Sequence, residues 1–120
     1  MTARIEVGQV IDSYFEALFD GDVERLRGIF HPRAILSGEV KGAPYYKTID
    51  EYLSVVRDRR SPRVLGEPFH MQAVSFDIVG PIAFVKARVP MLGFNYVDFL
   101  SLVQYEGRWV IAAKVFTHVE

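Results

Sequence analysis

Two amphipathic helices are predicted at the start of the chain, because apolar residues recur there at i, i+3, i+4 and i+7. In the first helix these positions are Val7, Val10, Ile11, Tyr14, Phe15 and Leu18. Gly21 is expected to end this helix, and Asp22 to cap the next one. The second, shorter helix carries Val23, Leu26, Ile29 and Phe30. It is expected to end at His31-Pro32, because the residue before a proline is pushed out of helical geometry.

The middle of the chain predicts a short strand, a loop and a third helix. Residues 34–37 are apolar enough for a strand, and residues 38–47, which contain glycine and proline, favour a loop. Thr48 and Glu51 are spaced as a capping box, so the third helix should begin there and end before Pro62. Its apolar stripe consists of Ile49, Tyr52, Leu53 and Val56. A basic cluster at residues 57–60 is interpreted as the solvated end of this helix.

The second half of the chain is rich in β-branched and aromatic residues. Residues 69–78 and 82–89 predict strands, and residues 96–117 predict a hairpin that turns at Glu106-Gly107. Helices gathered first and antiparallel strands gathered last indicate an α+β fold, with the helices packed on one face of a strongly curved, mainly antiparallel sheet. We expect residues 1–120 to form a single domain.

The hairpin has two apolar faces, and each face needs a cover. A two-residue turn would place Asp98 opposite Val115 and Leu102 opposite Ile111. The face that includes Asp98 is expected to line a pocket beneath the helices. The other face is expected to contain Lys114 and to pack against a second copy of the chain. The predicted interface residues are Val97, Phe99, Val103, Val110 and Phe116.

Composition narrows the classes of partner. The formal net charge is -1, which gives no field suited to nucleic acid or to an anionic membrane surface. The sequence has no cysteine, which fits a reducing compartment, and we expect a cytoplasmic protein. Its three histidines lack the spacing of metal ligands, so we predict neither a metal site nor a cofactor.

Three segments together carry a resemblance to a known group of proteins. They are SYFEALFDGD, LRGIFHPRAIL and VDFLSLVQYEGRWVIAAKVF. In these segments the chain resembles the nuclear transport factor 2-like superfamily, and within it the small bacterial proteins described as lumazine-binding-like or polyketide-cyclase-like (SnoaL-like). The resemblance implies a cystatin-like α+β cone with a cavity between the helices and the sheet, and a homodimer formed through the outer sheet face. It does not select a function, because the same fold carries isomerases, dehydratases, cyclases, carriers and non-enzymatic partners.

Tyr14 and Asp98 are the candidate catalytic pair. Their positions resemble those of the two side chains that hydrogen-bond an enolate oxygen in ketosteroid isomerase. An Asp98 carboxyl without a cationic neighbour would favour its protonated form and could act as a donor. The alternative is that the two groups only satisfy each other's hydrogen bonds inside the core.

A general base is missing from the position that the resemblance implies. That position falls near Gly38, and the neighbouring Glu39 should point to the opposite face of its strand. His31 and His70 are further candidates, each with a structural explanation as a helix end or a strand end. Steroid-type isomerisation is therefore disfavoured.

Three functions remain open at this level. The leading hypothesis is an apolar pocket for a small apolar or aromatic molecule. Its predicted lining is Tyr14, Tyr52, Val56, Asp98, Leu100 and Val115. The first alternative is an isomerase, dehydratase or cyclase in which Tyr14 and Asp98 stabilise an oxyanion. The second alternative is a dimeric interaction module without chemistry.

Overall fold

A computed structural model describes residues 2–120 and consists of three helices packed on one face of a six-stranded sheet. The helices are α1 Thr2–Asp20, α2 Val23–Ile29 and α3 Ile49–Asp58. The strands are β1 Phe30–Val40, β2 Ala43–Thr48, β3 Gln72–Val79, β4 Ile82–Met91, β5 Phe94–Tyr105 and β6 Arg108–His118. The predicted α+β class is confirmed, and the sheet stays open at β2 and β3.

The order of strands in the sheet is β2-β1-β6-β5-β4-β3. Only β1 and β6 pair in parallel, and the other neighbours are antiparallel. The sheet is therefore mainly antiparallel, as predicted. Strand β6 lies in the middle of the sheet, where it joins the β1–β2 hairpin to the other three strands. None of the helices within residues 2–120 is long and apolar enough to cross a membrane.

The predicted helix caps are present. The Asp22 side chain accepts a hydrogen bond from the Arg25 backbone N–H at 3.1 Å, and Gly21 has a positive φ of 69° between α1 and α2. At the start of α3, the Thr48 hydroxyl accepts from the Glu51 N–H, while the Glu51 carboxylate accepts from the Thr48 N–H. Each cap satisfies backbone donors that the first helical turn leaves unpaired.

The prediction of a loop at residues 38–47 is wrong. Strand β1 continues to Val40 and turns back into β2 at Lys41-Gly42, whose φ angles are 52° and 84°. Two positive φ angles define a tight hairpin turn, although the Lys-Gly sequence is a weak signal for one. The second helix also ends one residue earlier than predicted, because Phe30 is already the first residue of β1.

The β5–β6 hairpin turns at Glu106-Gly107 as predicted, but its register changes along its length. Leu102 pairs with Ile111 as expected, whereas Ser101 pairs with Ala113, so that Ala112 is an extra residue in β6. Such a β-bulge reverses the alternation of side chains for the rest of the strand. Asp98 therefore lies opposite Phe116 and not opposite Val115.

The bulge corrects the predictions for Val115, Phe116 and Lys114, and burial alone corrects the prediction for Val110. Val115 is 51% exposed on the outer face beside Phe99, so it does not line a pocket beneath the helices. Phe116 and Lys114, both predicted on the outer face, are buried on the inner face. Val110 is fully buried within the chain, so it is not available to a second copy.

Candidate functional site

A buried polar cluster lies between α1 and the inner face of the sheet. The Tyr14 hydroxyl, from α1, donates a hydrogen bond to Asp98 Oδ2 on β5 at 2.5 Å. The Lys114 Nζ on β6 lies 3.7 Å from the same carboxylate oxygen. Tyr14 and Asp98 have no exposed surface, and Lys114 is 4% exposed. The predicted pair, Tyr14 and Asp98, is thus in direct contact, and Lys114 is a third member of the cluster.

Lys114 changes the electrostatics that the sequence suggested for Asp98. The expectation that this carboxyl has no cationic neighbour is wrong, because the bulge turns Lys114 inward. The ammonium group also lies against aromatic rings, 4.9 Å from the ring centres of Tyr52 and Phe116 and 5.5 Å from that of Tyr14. A carboxylate together with aromatic faces offsets part of the free energy that is needed to bury a cation.

The cluster keeps Tyr14 in its neutral form. Burial raises the pKa of the Tyr14 hydroxyl well above its usual value of 10, and the negative charge of Asp98 raises it further. A neutral hydroxyl can donate to the carboxylate, as the short distance indicates. Tyr14 is therefore a fixed donor and not a proton acceptor at neutral pH.

A cavity of about 260 Å³ lies directly above Lys114. It is lined by Val40, Tyr45, Tyr52, Val55, Arg59, Met91, Tyr96, Lys114 and Phe116. The rings of Tyr45 and Tyr96 meet Phe116 edge to face, at centroid distances of 4.9 Å and 5.7 Å. Burial raises the pKa of both tyrosines, so their hydroxyls are neutral donors as well. The walls are aromatic, and Lys114 forms part of the floor.

Apart from Val115, which lies on the outer face, the predicted lining residues divide into three groups. Tyr52 lines the cavity, whereas Tyr14 and Asp98 lie beneath it and reach it through Lys114. Val56 and Leu100 are buried in the hydrophobic core. Tyr14 and Asp98 are thus placed to position Lys114 and not to touch a molecule in the cavity.

None of the suggested general bases lines the cavity. His31 packs against Tyr105 with the two rings tilted, at a centroid distance of 4.4 Å, and accepts a hydrogen bond from the Arg33 N–H. His70 and Glu39 are exposed to solvent. Within residues 2–120, no three histidine, aspartate or glutamate side chains are grouped to hold a metal ion.

The position implied for the base is closed to side chains. A Cβ atom built on Gly38 would lie 2.0 Å from the Phe116 carbonyl oxygen, in the neighbouring strand β6. This distance is far below van der Waals contact, so β1 can approach β6 here only with glycine. The resemblance to ketosteroid isomerase therefore fails at this position for a steric reason.

Three polar atoms in or beneath the cavity have no hydrogen-bond partner in the part of the chain that the structure describes. They are the Tyr52 hydroxyl, Arg59 Nη2 and Asp98 Oδ1, and all three are buried. An unpaired buried polar atom costs about 1–3 kcal/mol. Tyr52 and Arg59 line the cavity, so a molecule bound there could satisfy both.

Sequence reasoning assigned only Tyr52 of the nine lining residues to the pocket, and one of the eight missed residues carried a usable signal. Arg59 follows Tyr52 and Val56 at i+7 and i+3, so it continues the buried stripe of the third helix although it was interpreted as solvated. Lys114 was placed on the outer face, because the sequence does not show the bulge that turns it inward. Tyr45 fell in the predicted loop, and Tyr96 was placed on the inner face without being assigned to the pocket.

A larger hollow of about 380 Å³ shares no lining residue with this cavity. It is a groove between α1, α2 and the β5–β6 turn, and residues such as Gln9, Ser13 and Arg108 line it. Arg108 is already bonded to the Gly28 carbonyl at 2.6 Å. None of the polar cluster around Asp98 reaches this groove, so the smaller cavity is the stronger candidate site.

Comparisons with known proteins agree with this architecture. Residues 2–117 match the family described as "Putative lumazine-binding". The curated aldolase FrzH of Cladobotryum sp. is 29% identical over 105 residues, which cover 86% of this chain and 81% of the relative.

Solved structures give the same fold. A protein of unknown function from Silicibacter pomeroyi, similar to nuclear transport factor 2, superposes with a TM-score of 0.87 at 23% identity, over 99% of both chains. One from Shewanella baltica superposes with a TM-score of 0.83 at 21% identity, over 99% of this chain and 95% of the other. Because the family match spans nearly the whole chain, this protein belongs to the "Putative lumazine-binding" family, and its fold is that of proteins similar to nuclear transport factor 2.

Proposed function

We propose that the protein binds a small, planar and mostly apolar molecule in the cavity above Lys114. The observation that carries the proposal is an aromatic cavity with two buried donors that lack partners, the Tyr52 hydroxyl and Arg59 Nη2. A volume of about 260 Å³ lies just below the range of roughly 300–1,000 Å³ that is usual for ligand pockets. The ligand is therefore smaller than a typical drug molecule.

Binding without chemistry is favoured over catalysis by the composition of the lining. An enzyme that moves protons from carbon needs an acceptor within hydrogen-bond reach of its substrate. No lining residue of the cavity is a carboxylate or a histidine. The Asp98 carboxylate is close, but it lies beneath Lys114.

Native mass spectrometry of protein purified from its own host tests the binding proposal. A defined small-molecule adduct is expected on the wild-type protein. Val55→Trp should abolish this adduct, because Val55 lines the cavity and a large ring would fill it. Ser54→Trp is the matched control, since Ser54 is the neighbouring exposed residue. An adduct that survives Val55→Trp in a folded protein would place the ligand elsewhere and refute the proposal.

Carbonyl chemistry is the second candidate, and two observations favour it. A relative with 29% identity is named an aldolase, and Lys114 presents a cation in the cavity. In this version water takes the proton from the carbon next to the carbonyl, because the cavity lining offers no carboxylate or histidine. Lys114 donates to the carbonyl oxygen as it becomes negative, while Tyr14 and Asp98 position the ammonium group. This replaces the direct contact of Tyr14 and Asp98 with the substrate that the sequence suggested.

Hydrogen exchange at the carbon next to a bound carbonyl separates the two candidates. An enzyme of this kind should exchange that hydrogen in D₂O, and Lys114→Met should stop the exchange. A bound carbonyl compound that shows no exchange above the rate in buffer would leave binding as the function. If Asp98→Asn exchanges the hydrogen as fast as wild type, the reaction does not need an acidic group at position 98.

The outer sheet face forms a homodimer interface in this proposal. Phe99, Val115 and Ile82 are 43%, 51% and 54% exposed there, together with half-buried Val97 and Val103. Exposed apolar groups of this extent on one sheet face favour contact with another protein surface. Phe99→Arg should convert the dimer to a monomer in sedimentation experiments, and a dimer that persists would exclude this interface. A dimer without any cavity ligand would favour a purely structural module.

A further inference from the structure

We infer that the cavity ligand is a planar monocarboxylate, whose charged end lies between Arg59 and Lys114. This inference rests on the proposed binding function and adds the chemical class of the ligand. It starts from the distribution of charge around the cavity, which is lined by two cations and no anion. An apolar cavity alone would not need either cation.

The charge of Lys114 is already compensated, whereas the charge of Arg59 is not. Lys114 forms an ion pair with Asp98, at 3.7 Å between Nζ and Oδ2. Among the ion pairs formed within residues 2–120, none includes Arg59. The two cations and the single carboxylate thus leave one positive charge at the cavity, which a monoanion would neutralise.

Unpaired hydrogen-bond donors occur at the same end of the cavity. Arg59 Nη2 is buried without an acceptor, and so is the hydroxyl of Tyr52, which is 3% exposed. The guanidinium carbon of Arg59 lies 5.9 Å from the Tyr52 ring centre, so the two residues are neighbours. A carboxylate has two acceptor oxygens, and guanidinium groups recognise it with charge-assisted hydrogen bonds.

The remainder of the ligand is defined by the aromatic part of the lining. Tyr45, Tyr96 and Phe116 present aromatic surface to the cavity. Flat surfaces of this kind suit a ring or a conjugated system. Because the neutral hydroxyls of the two tyrosines can also donate, oxygen substituents on the ring are compatible with this part of the lining.

Three probes of nearly equal shape test the charge of the ligand, namely benzoate, benzamide and benzamidinium. Their dissociation constants are measured by calorimetry or by ligand-observed NMR. Benzoate should bind about tenfold more tightly than neutral benzamide, as expected when a neutral hydrogen bond becomes charge-assisted. Benzamidinium should bind most weakly. Added salt should weaken benzoate binding and leave benzamide binding unchanged.

Arg59→Gln should remove most of the tenfold preference for benzoate and keep the affinity for benzamide. Arg60→Gln is the matched control, because Arg60 is the next residue and is exposed. Arg59→Lys keeps the positive charge and should retain part of the preference for benzoate. It therefore separates loss of the charge from loss of folding.

The possible outcomes separate the two proposals. If benzoate and benzamide bind equally well and Val55→Trp abolishes both, the cavity binds ligands but the inference about charge is wrong. If the preference survives Arg59→Gln, or disappears equally with Arg60→Gln, the assignment to Arg59 is wrong. If none of the three probes binds the wild-type protein, the inference and the proposed ligand class both fail.

Discussion

Replacing Tyr14 by phenylalanine removes one hydroxyl group from the polar cluster and leaves the ring in place. The ring is fully buried against Phe15 and Phe30, at centroid distances of 5.8 Å and 6.1 Å, and phenylalanine keeps these contacts. The loss is the 2.5 Å hydrogen bond to the Asp98 carboxylate. Hydrogen bonds to charged groups contribute about 1.5–3 kcal/mol, so we expect Tyr14→Phe to lower the free energy of unfolding by about 2 kcal/mol at pH 7.

The same substitution should change the response to alkaline pH. The pKa of Tyr14 is raised in the folded protein, so the unfolded chain releases this proton first, at its usual pKa of 10. The contribution of Tyr14 is therefore complete below pH 10 and is lost as the pH rises from there through the folded pKa. The loss is about 1.4 kcal/mol per pH unit. Tyr14→Phe lacks this proton, so the stability difference between the two proteins should shrink at that rate.

Urea unfolding followed by circular dichroism, at pH 7 and at about pH 10.5 and 11, measures both effects. Tyr46→Phe is the control, because Tyr46 is 67% exposed and its hydroxyl should matter little at any pH. Equal stability of Tyr14→Phe and wild type at pH 7 would show that the bond to Asp98 contributes nothing. Parallel decline of the two proteins above pH 10 would refute the raised pKa.

Two further substitutions test the neighbouring contacts. Lys114→Met should lower the free energy of unfolding by about 3–5 kcal/mol, because it leaves the buried Asp98 carboxylate without a cation. Adding Asp98→Asn should restore part of this loss in urea unfolding, and a Lys114→Met protein as stable as wild type would contradict the role of the pair. Gly38→Ala should cost at least about 1–3 kcal/mol, because its Cβ would meet the Phe116 carbonyl oxygen and force β1 away from β6. Unchanged stability of Gly38→Ala would show that this close approach relaxes freely.

Local rules account for the parts of the fold that the sequence predicted. The capping box at Thr48 and the turn at Glu106-Gly107 each depend on residues within a few positions of one another. The α+β class followed from the change of apolar spacing between the two halves of the chain. Such signals do not depend on which strands pair, so a single sequence carries them.

The remaining features depend on contacts between distant residues. The β1–β2 hairpin turns at Lys41-Gly42. Strand β1 also pairs in parallel with β6, which begins much later in the sequence, at Arg108. The dipeptide Ala112-Ala113 does not indicate a bulge in the sequence. The bulge at Ala112 nevertheless decides whether Lys114 faces the cavity or the surface. Tyr14 and Asp98 are in direct contact, and both were predicted on inward-facing positions. Lys114, the cation beside Asp98, was predicted on the outer face instead.

The central position of β6 has a consequence for how the chain acquires its structure during synthesis. The β1–β2 hairpin joins β5, β4 and β3 only through β6, and residues 108–118 leave the ribosome after the other five strands of this sheet. Until then β1 and β5 both lack the neighbour that joins them, so the six-stranded sheet cannot be completed. Completion of the fold is therefore a late, non-local step, and such steps are slow. Lys114 lies on β6, so the cavity gains this cation only when β6 pairs with β1 and β5.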